Sequence, residues 1–330
     1  MANTDRSDYI APMPMSIDVV MLAYNRFELT ESCLRHLRAQ TIPHHVIVVD
    51  NGSTDDTRAR LYAEWPAVQV VEIDENLGFP VACNLGVAAG SGEAVLLLNN
   101  DVDCRPDFLE RMVRHLEGDP GVGSVGSLML KPGEELIDGM GFAADPILAG
   151  FPRLQGLPAS RAHDSKPVFL GAGGSAGLYR RAAWEELGGL DETIVAYMED
   201  FDLAVRLRVA GWRSVAEPDA VGIHIGSATH GYRSPWQRRQ AGYGRGYMLR
   251  RYGLLHGSTT LRTLVTEAIV VCGDLWISRD LLALRGRLAG WRAGGSSPRL
   301  PLPPAESLDH SIDLRHSLAM RRGVYARRAA

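Results

Sequence analysis

Val95, Leu96, Leu97 and Leu98 run without a break into Asn99, Asn100, Asp101, Val102 and Asp103. A short continuous apolar run of this kind is a strand buried on both faces. In an open sheet flanked by helices, ligands collect beyond the carboxyl ends of such strands. Asp101, with Asp103 close behind it, therefore stands where a site is expected. A carboxylate there is a hard oxygen ligand, suited to Mg2+ or Mn2+ holding a diphosphate. The competing reading has both acids merely capping the helix that Pro106 opens.

The flanking sequence weighs on that choice. Residues 17–23 form a first apolar strand, and 28–39 a helix with Leu29, Cys33, Leu34 and Leu37 on one face. Further strands are expected at 46–49, 68–71, 94–98 and 122–125, with helices at 81–89 and 106–116 between them. Strand and helix in alternation specify an α/β chain with a doubly wound, mostly parallel sheet flanked by helices. Asn25, Asp50, Asn76 and Asp101 each follow a strand, so the topology gathers them at one edge of the sheet. Four such residues at one edge read as a site. No GxGxxG follows the first strand, and neither GxxxxGK[ST] nor GxSxG occurs. Dinucleotide, P-loop and serine-hydrolase chemistry are therefore disfavoured.

A net charge of -4 over 330 residues gives no sign of a general nucleic-acid binder. Cys33, Cys83, Cys104 and Cys272 form no CxxC pair, so neither a zinc site nor a disulfide framework is indicated, and reduced thiols in a cytoplasm fit. Residues 1–15 read as a disordered arm without the apolar core of a secretion signal, and no run is long enough to span a membrane.

In the second half, residues 131–166 are rich in Gly, Pro and Ala and are expected to form a long, partly mobile excursion over the site. Regular structure is expected to resume at 168–175, where the glycines serve either a close backbone approach or a tight packing turn. Glu199, Asp200 and Asp202 cluster at the mouth of an amphipathic helix. The macrodipole explains any one of them, but as a group at least one is placed to take a proton. His224 is read either as a buried, hydrogen-bonded histidine or as a further metal ligand. Residues 261–288 read as one helix with an apolar stripe from Leu261 to Trp276, packed on the catalytic domain or used in a homodimer contact. The neighbouring Arg262, Arg279, Arg285 and Arg287 also suit a peripheral membrane contact, against which Glu267, Asp274 and Asp280 count. Residues 292–310 look like a linker and 315–328 like a basic tail.

Seven stretches together resemble an inverting glycosyltransferase of family 2, with the GT-A fold: AYNR (23–26), VVDNGSTDDT (48–57), ENLGFPVACNLG (75–86), LLNNDVDCRPDFL (97–109), GLYRRAAWEELGGLDE (177–192), YMEDFDLAVRLRVAGW (197–212) and GIHIGSATHG (222–231). The resemblance covers about residues 16–255 and leaves 256–330 as a helical extension and tail. Its closest flavour is the rhamnosyltransferase-like branch, which implies L-rhamnose carried on dTDP, or a related dTDP- or UDP-sugar. It further implies that Ala23, Tyr24, Arg26, Asp50 and Asn76, with Gly78 in the same turn, hold the nucleotide. Asn99, Asn100 and Asp101 occupy the place of the family's Asp-x-Asp motif. Asp101 is then the metal carboxylate, His224 the further ligand of Mg2+ or Mn2+, and Asp200, paired with Glu199, the catalytic base. Arg245 resembles a late arginine that meets the diphosphate or the acceptor. That acceptor is a glycan, a lipid-linked saccharide or a small molecule, which implies work in the cytoplasm or at the inner face of a membrane.

Two departures stand out. Asn99 replaces a carboxylate by an amide, a poorer metal ligand, and Arg245 is followed by Gly246 where many relatives have asparagine. Two other functions compete with transfer. A nucleotidyltransferase should carry an early glycine-rich loop with a basic residue, and none follows Ala23. A non-catalytic sugar-nucleotide or glycan-binding protein is favoured by Asn99 but opposed by Asp101, Asp200 and His224 together.

Overall fold

A computed structural model describes residues 14–226 and 234–321. Most of the N-terminal arm, the end of the 222–231 stretch and the tail past 321 lie outside the described residues. In chain order the first half contains β1 (Ile17–Ala23), α1 (Phe27–Arg38), β2 (His45–Asn51), α2 (Thr57–Glu64), β3 (Gln69–Ile73), α3 (Phe79–Ala88), β4 (Ala94–Asn99), β5 (Val102–Cys104), α4 (Phe108–Gly118) and β6 (Val122–Leu130). Three short strands follow, β7 (Ile137–Gly139), β8 (Phe142–Ala144) and β9 (Gly150–Pro152). Then come β10 (Ala176–Arg180), α5 (Arg181–Glu186), α6 (Glu199–Val209) and β11 (Arg213–His224). The chain continues with α7 (Pro235–Arg251), α8 (Thr260–Ser278), α9 (Leu282–Gly294) and α10 (Leu314–Arg321).

The main sheet has the order β3-β2-β1-β4-β10-β6-β11-β5, with β7 paired to β6. The expected doubly wound core is there: β1, β2, β3 and β4 are mutually parallel. Alternation along β1 divides the apolar contents. Val19 and Met21 join Phe27, Leu34 and Leu37 of α1 on one face, while Val20 joins Ala82 and Val87 of α3 and Leu203 of α6 on the other. The sixth strand in sequence does not sit beside β4. The antiparallel β10 is wedged between β4 and β6, and sequence order alone does not report that insertion.

Three segments differ from expectation. Residues 131–166 are built rather than loose: β7 joins the sheet, and Ile137, Leu154 and Leu157 form a small core with Leu128 and Leu130 of β6. Strands of three residues leave no periodic signature. The expected linker 292–310 is strapped down, with Leu308 and Asp309 buried and the Asp309 N–H donating to the Ala144 carbonyl at 2.8 Å. The single helix expected over 261–288 is two helices, broken where Arg279 turns left-handed at φ 52°.

The C-terminal helices close on the domain through glycine. At Gly290 of α9 a Cβ would lie 1.9 Å from the Tyr243 carbonyl oxygen of α7, and at Gly246 of α7 a Cβ would lie 2.0 Å from the Arg287 carbonyl oxygen. Here α7 and α9 touch backbone to backbone, which no residue with a side chain permits.

Candidate active site

A cleft of about 850 Å³ opens along the carboxyl ends of β1, β2 and β4. Its first wall is the turn after β1, where Tyr24, Asn25 and Arg26 all line the cleft. Asn25 and Arg26 are both left-handed, at φ 55° and 57°. The β2–α2 loop holds them there. Asn25 Oδ1 accepts from the Thr54 N–H at 2.8 Å, the Asn25 N–H donates to Ser53 Oγ at 2.8 Å, and the Arg26 N–H donates to Asp55 Oδ2 at 2.7 Å. Ala23, Asn76 and Gly78 line the same wall. Asn76 Oδ1 accepts from the Gly78 N–H at 3.0 Å and faces Asn51 Nδ2 at 3.3 Å.

Asp50 does not reach the cleft. It is wholly buried, its Oδ2 2.7 Å from Arg58 Nε and its Oδ1 accepting from the Ser53 N–H at 3.1 Å. Asn51, one position on and therefore on the opposite face of the strand, lines the cleft in its stead.

At the end of β4, Asn99, Asn100 and Asp101 line the cleft. Asn100 spends its amide on Thr30 Oγ1 at 2.9 Å. Asp101 faces His224 of β11, with Oδ1 3.4 Å from Nε2. The other ring nitrogen of His224, Nδ1, lies 2.8 Å from Asp138 Oδ2 in β7. Burial works to lower the His224 pKa, but the flanking Asp101 and Asp138 outweigh it and push it up to about 9. Asp103 points elsewhere, accepting from Ser32 Oγ of α1 at 2.9 Å, so of the two acids after β4 only Asp101 belongs to the cleft.

The three acids of α6 separate cleanly. Asp202 is structural: it pairs with Arg206 at 2.5 Å and accepts from the Tyr252 hydroxyl at 2.8 Å. Glu199 and Asp200 line the cleft behind Tyr197 and Met198, both at positive φ (62° and 92°). Asp200 Oδ2 accepts from the Gly174 N–H at 2.8 Å and Oδ1 from its neighbour Phe201 N–H at 2.8 Å. A Cβ at Gly174 would lie 3.2 Å from that carboxylate, so the glycine permits the close approach. Burial raises the pKa of Asp200, and the two N–H donors hold it down only in part. Burial, and then the Asp200 charge, raise Glu199 much further, and its Oε2 is buried without a partner. Of the pair, Glu199 is pushed up harder, because Asp200 accepts two backbone N–H bonds that favour its charged form and Glu199 Oε2 has none.

Arg245 is a correction. It lies outside the cleft, 2.7 Å from Glu267 of α8, and donates to the carbonyls of Ile147 and Leu148. Its work is to join α7 to α8 and to the β8–β9 turn. Sequence reasoning also missed Asp138, Phe79, Trp236 and Gln237, all of which line the cleft. Trp236 meets Tyr197 edge to face with 5.8 Å between ring centroids. Asp138 sits in a Gly-rich stretch with no periodic pattern to mark it.

The model of the family described as "Glycosyl transferase family 2" matches residues 18–188. The N-acetylglucosaminyl-diphospho-decaprenol L-rhamnosyltransferase of Mycobacterium tuberculosis is 32% identical over 231 residues, 63% of this chain and 75% of that protein. The O-antigen chain rhamnosyltransferase RfbN of Salmonella typhimurium is 25% identical over 315 residues, 87% of this chain and 92% of that one. Among solved structures, the mannosyltransferase PcManGT of Pyrobaculum calidifontis, in complex with GDP-Man and Mn2+, superposes with a TM-score of 0.53 at 21% identity, covering 94% of this chain and 83% of its own. That likeness shows the fold.

Proposed function

Because the chain belongs to glycosyl transferase family 2, and is therefore a glycosyltransferase, we propose that it moves L-rhamnose from dTDP-L-rhamnose, with inversion, to an acceptor hydroxyl. One observation carries the reading: a single cleft is lined both by Asp101 with His224 and by the half-buried carboxylate of Asp200. The rhamnosyltransferases of Mycobacterium tuberculosis and Salmonella typhimurium support the choice of sugar. The acceptor classes in their names, a decaprenol-linked N-acetylglucosaminyl diphosphate and an O-antigen chain, are the ones we propose here. We keep residues 16–255 as the transfer domain and 256–330 as its extension, working in a cytoplasm where the four unpaired thiols stay reduced.

In this reading Ala23, Tyr24, Arg26, Asn51, Asn76 and Gly78 hold the nucleotide. Asp101 and His224 would hold Mg2+ or Mn2+. Their donor atoms face each other, Asp138 meets the far nitrogen of the His224 ring, and no group of three or more His, Cys, Asp or Glu placed to hold a metal occurs among the described residues. A Mg2+ site of this type takes one or two carboxylates and fills its remaining positions with substrate phosphate and water, so Asp101 fits, and His224 would join it as the neutral imidazole. The bound ion supplies positive charge against the departing diphosphate. Asp200 takes the proton of the acceptor hydroxyl as its oxygen forms the bond to the anomeric carbon. The bond from that carbon to the diphosphate oxygen breaks, and the nucleoside diphosphate leaves with the electron pair. One displacement inverts the centre and needs no protein nucleophile. Burial and the neighbouring Asp200 both disfavour the charged form of Glu199.

Asp200→Asn is the test. The reading expects transfer to fall by roughly 1,000-fold or more while donor affinity holds, since a positioned base contributes about 100- to 10,000-fold. Unchanged transfer removes Asp200 from the reaction.

A further inference from the structure

Helix α8 presents the wrong face for a helix packed on a core. Leu261, Leu264, Val265, Ile269, Leu275 and Trp276 recur at helical spacing and are all exposed, Leu261 at 74% and Trp276 at 85%. The stripe runs roughly 22 Å at 1.5 Å per residue. The polar side of the helix is turned inward. Thr263 and Thr266 are fully buried and return their hydroxyls to carbonyls one turn back. Arg262 reaches Asp145 at 2.9 Å, and Asp274 reaches Arg287 at 3.3 Å. Glu267 lies between Arg245 and Arg287, at 2.7 and 3.2 Å. The acids that argued against a membrane contact are thus withdrawn from the outer face, and Asp280 is bound by Arg238 at 2.6 Å.

Charge is segregated in the same region. Residues 234–321 hold thirteen arginines and six carboxylates, in a chain whose net charge is -4. Arg279 and Arg285, next to the stripe, are exposed. The Arg238–Asp280 pair ties the end of α8 to the first turn of α7, whose Trp236 lines the cleft. The stripe therefore ends close to the rim of the site.

We propose that the outer face of α8 docks on an anionic phospholipid bilayer, with the apolar stripe in the headgroup boundary and the exposed Arg279 and Arg285 against lipid phosphate. No described helix is long and apolar enough to cross a membrane, so the contact is interfacial. An exposed tryptophan at one end of the stripe suits the wet edge of that boundary. A second copy fits less well. A two-fold contact through α8 brings the exposed Arg279 and Arg285 of two copies together.

The test is co-sedimentation of the full chain with vesicles of phosphatidylglycerol and phosphatidylcholine, against vesicles of phosphatidylcholine alone. It reads lipid binding without transfer, so its outcome is independent of the proposed reaction. The wild-type chain is expected to sediment with the anionic vesicles, less so at high salt. Ile269→Glu and Trp276→Ser, both exposed and neither lining the cleft, should each weaken that binding about tenfold or more with thermal unfolding unchanged. Absence of binding to anionic vesicles overturns the proposal, as does binding that neither variant alters. A dimer in light scattering that Ile269→Glu dissociates, without vesicle binding, assigns the face to a second copy instead.

Discussion

His224 Nδ1 lies 2.8 Å from Asp138 Oδ2, so the imidazole that faces Asp101 is fixed from behind by a second carboxylate. Such a partner sets the ring's orientation and raises its strength as a ligand. Asp138→Ala is expected to weaken Mn2+ binding by roughly 10- to 100-fold. Nucleotide binding measured without metal should stay as it was. Titration of the variant with Mn2+ reads this directly, and an unaltered affinity would detach Asp138 from the metal site.

Asp200 predicts the acid limb of the pH profile. Burial raises its pKa above the ordinary aspartate value of about 3.9. The base works only when deprotonated, so kcat/KM should rise with pH through that raised pKa and be lost below it. The half-point therefore lies above the range of an exposed aspartate. A profile still flat at about pH 4 contradicts the assignment.

Glu267 predicts a stability effect, not a catalytic one. Burial alone would raise its pKa, but Arg245 and Arg287 outweigh it and bring it down to about 2. Glu267→Gln leaves two arginines without their buried partner, at an expected cost of about 3–5 kcal/mol. The folded-state pKa is depressed, so this stabilisation is complete above the unfolded value of about 4.3 and is lost as pH falls towards about 2. Denaturant unfolding of both proteins at neutral and acid pH should show the gap closing at acid pH. A gap that does not shrink rules out the ion pair as its source.

Gly290 predicts a sign. In an exposed helix, Gly→Ala stabilises by up to about 1 kcal/mol. Here the added methyl meets the Tyr243 carbonyl oxygen at 1.9 Å. Gly290→Ala should destabilise by about 1–3 kcal/mol through overpacking. A raised melting temperature would show that α7 and α9 have room to part.

The parallel core and the position of Asp101 were legible because continuous apolar runs report strands buried on both faces, and Val95 to Leu98 is such a run. The insertion of β10 between β4 and β6 was not legible, because pairing partners leave no mark in a strand's own composition. Asn51 escaped because Asp50 looked more chemical, yet strand alternation sends the two to opposite faces. Periodicity found the stripe on α8 but not its direction. A 3.6-residue repeat says that a face exists, and only the inward ion pairs of Arg262, Glu267 and Asp274 reveal which side is buried. Arg245 was misjudged for a related reason: an arginine's reach allows either a diphosphate or a buried glutamate, and only the packing of α7 on α8 decides between them.

The central claim is a metal-assisted donor site beside a base, and calorimetric titration with dTDP-L-rhamnose, UDP-glucose and GDP-mannose, each with and without Mn2+, tests it most directly. The account predicts binding of dTDP-L-rhamnose that tightens with Mn2+, and a loss of that Mn2+ dependence in Asp101→Ala. A folded protein that binds none of the three donors, with or without the metal, would contradict it.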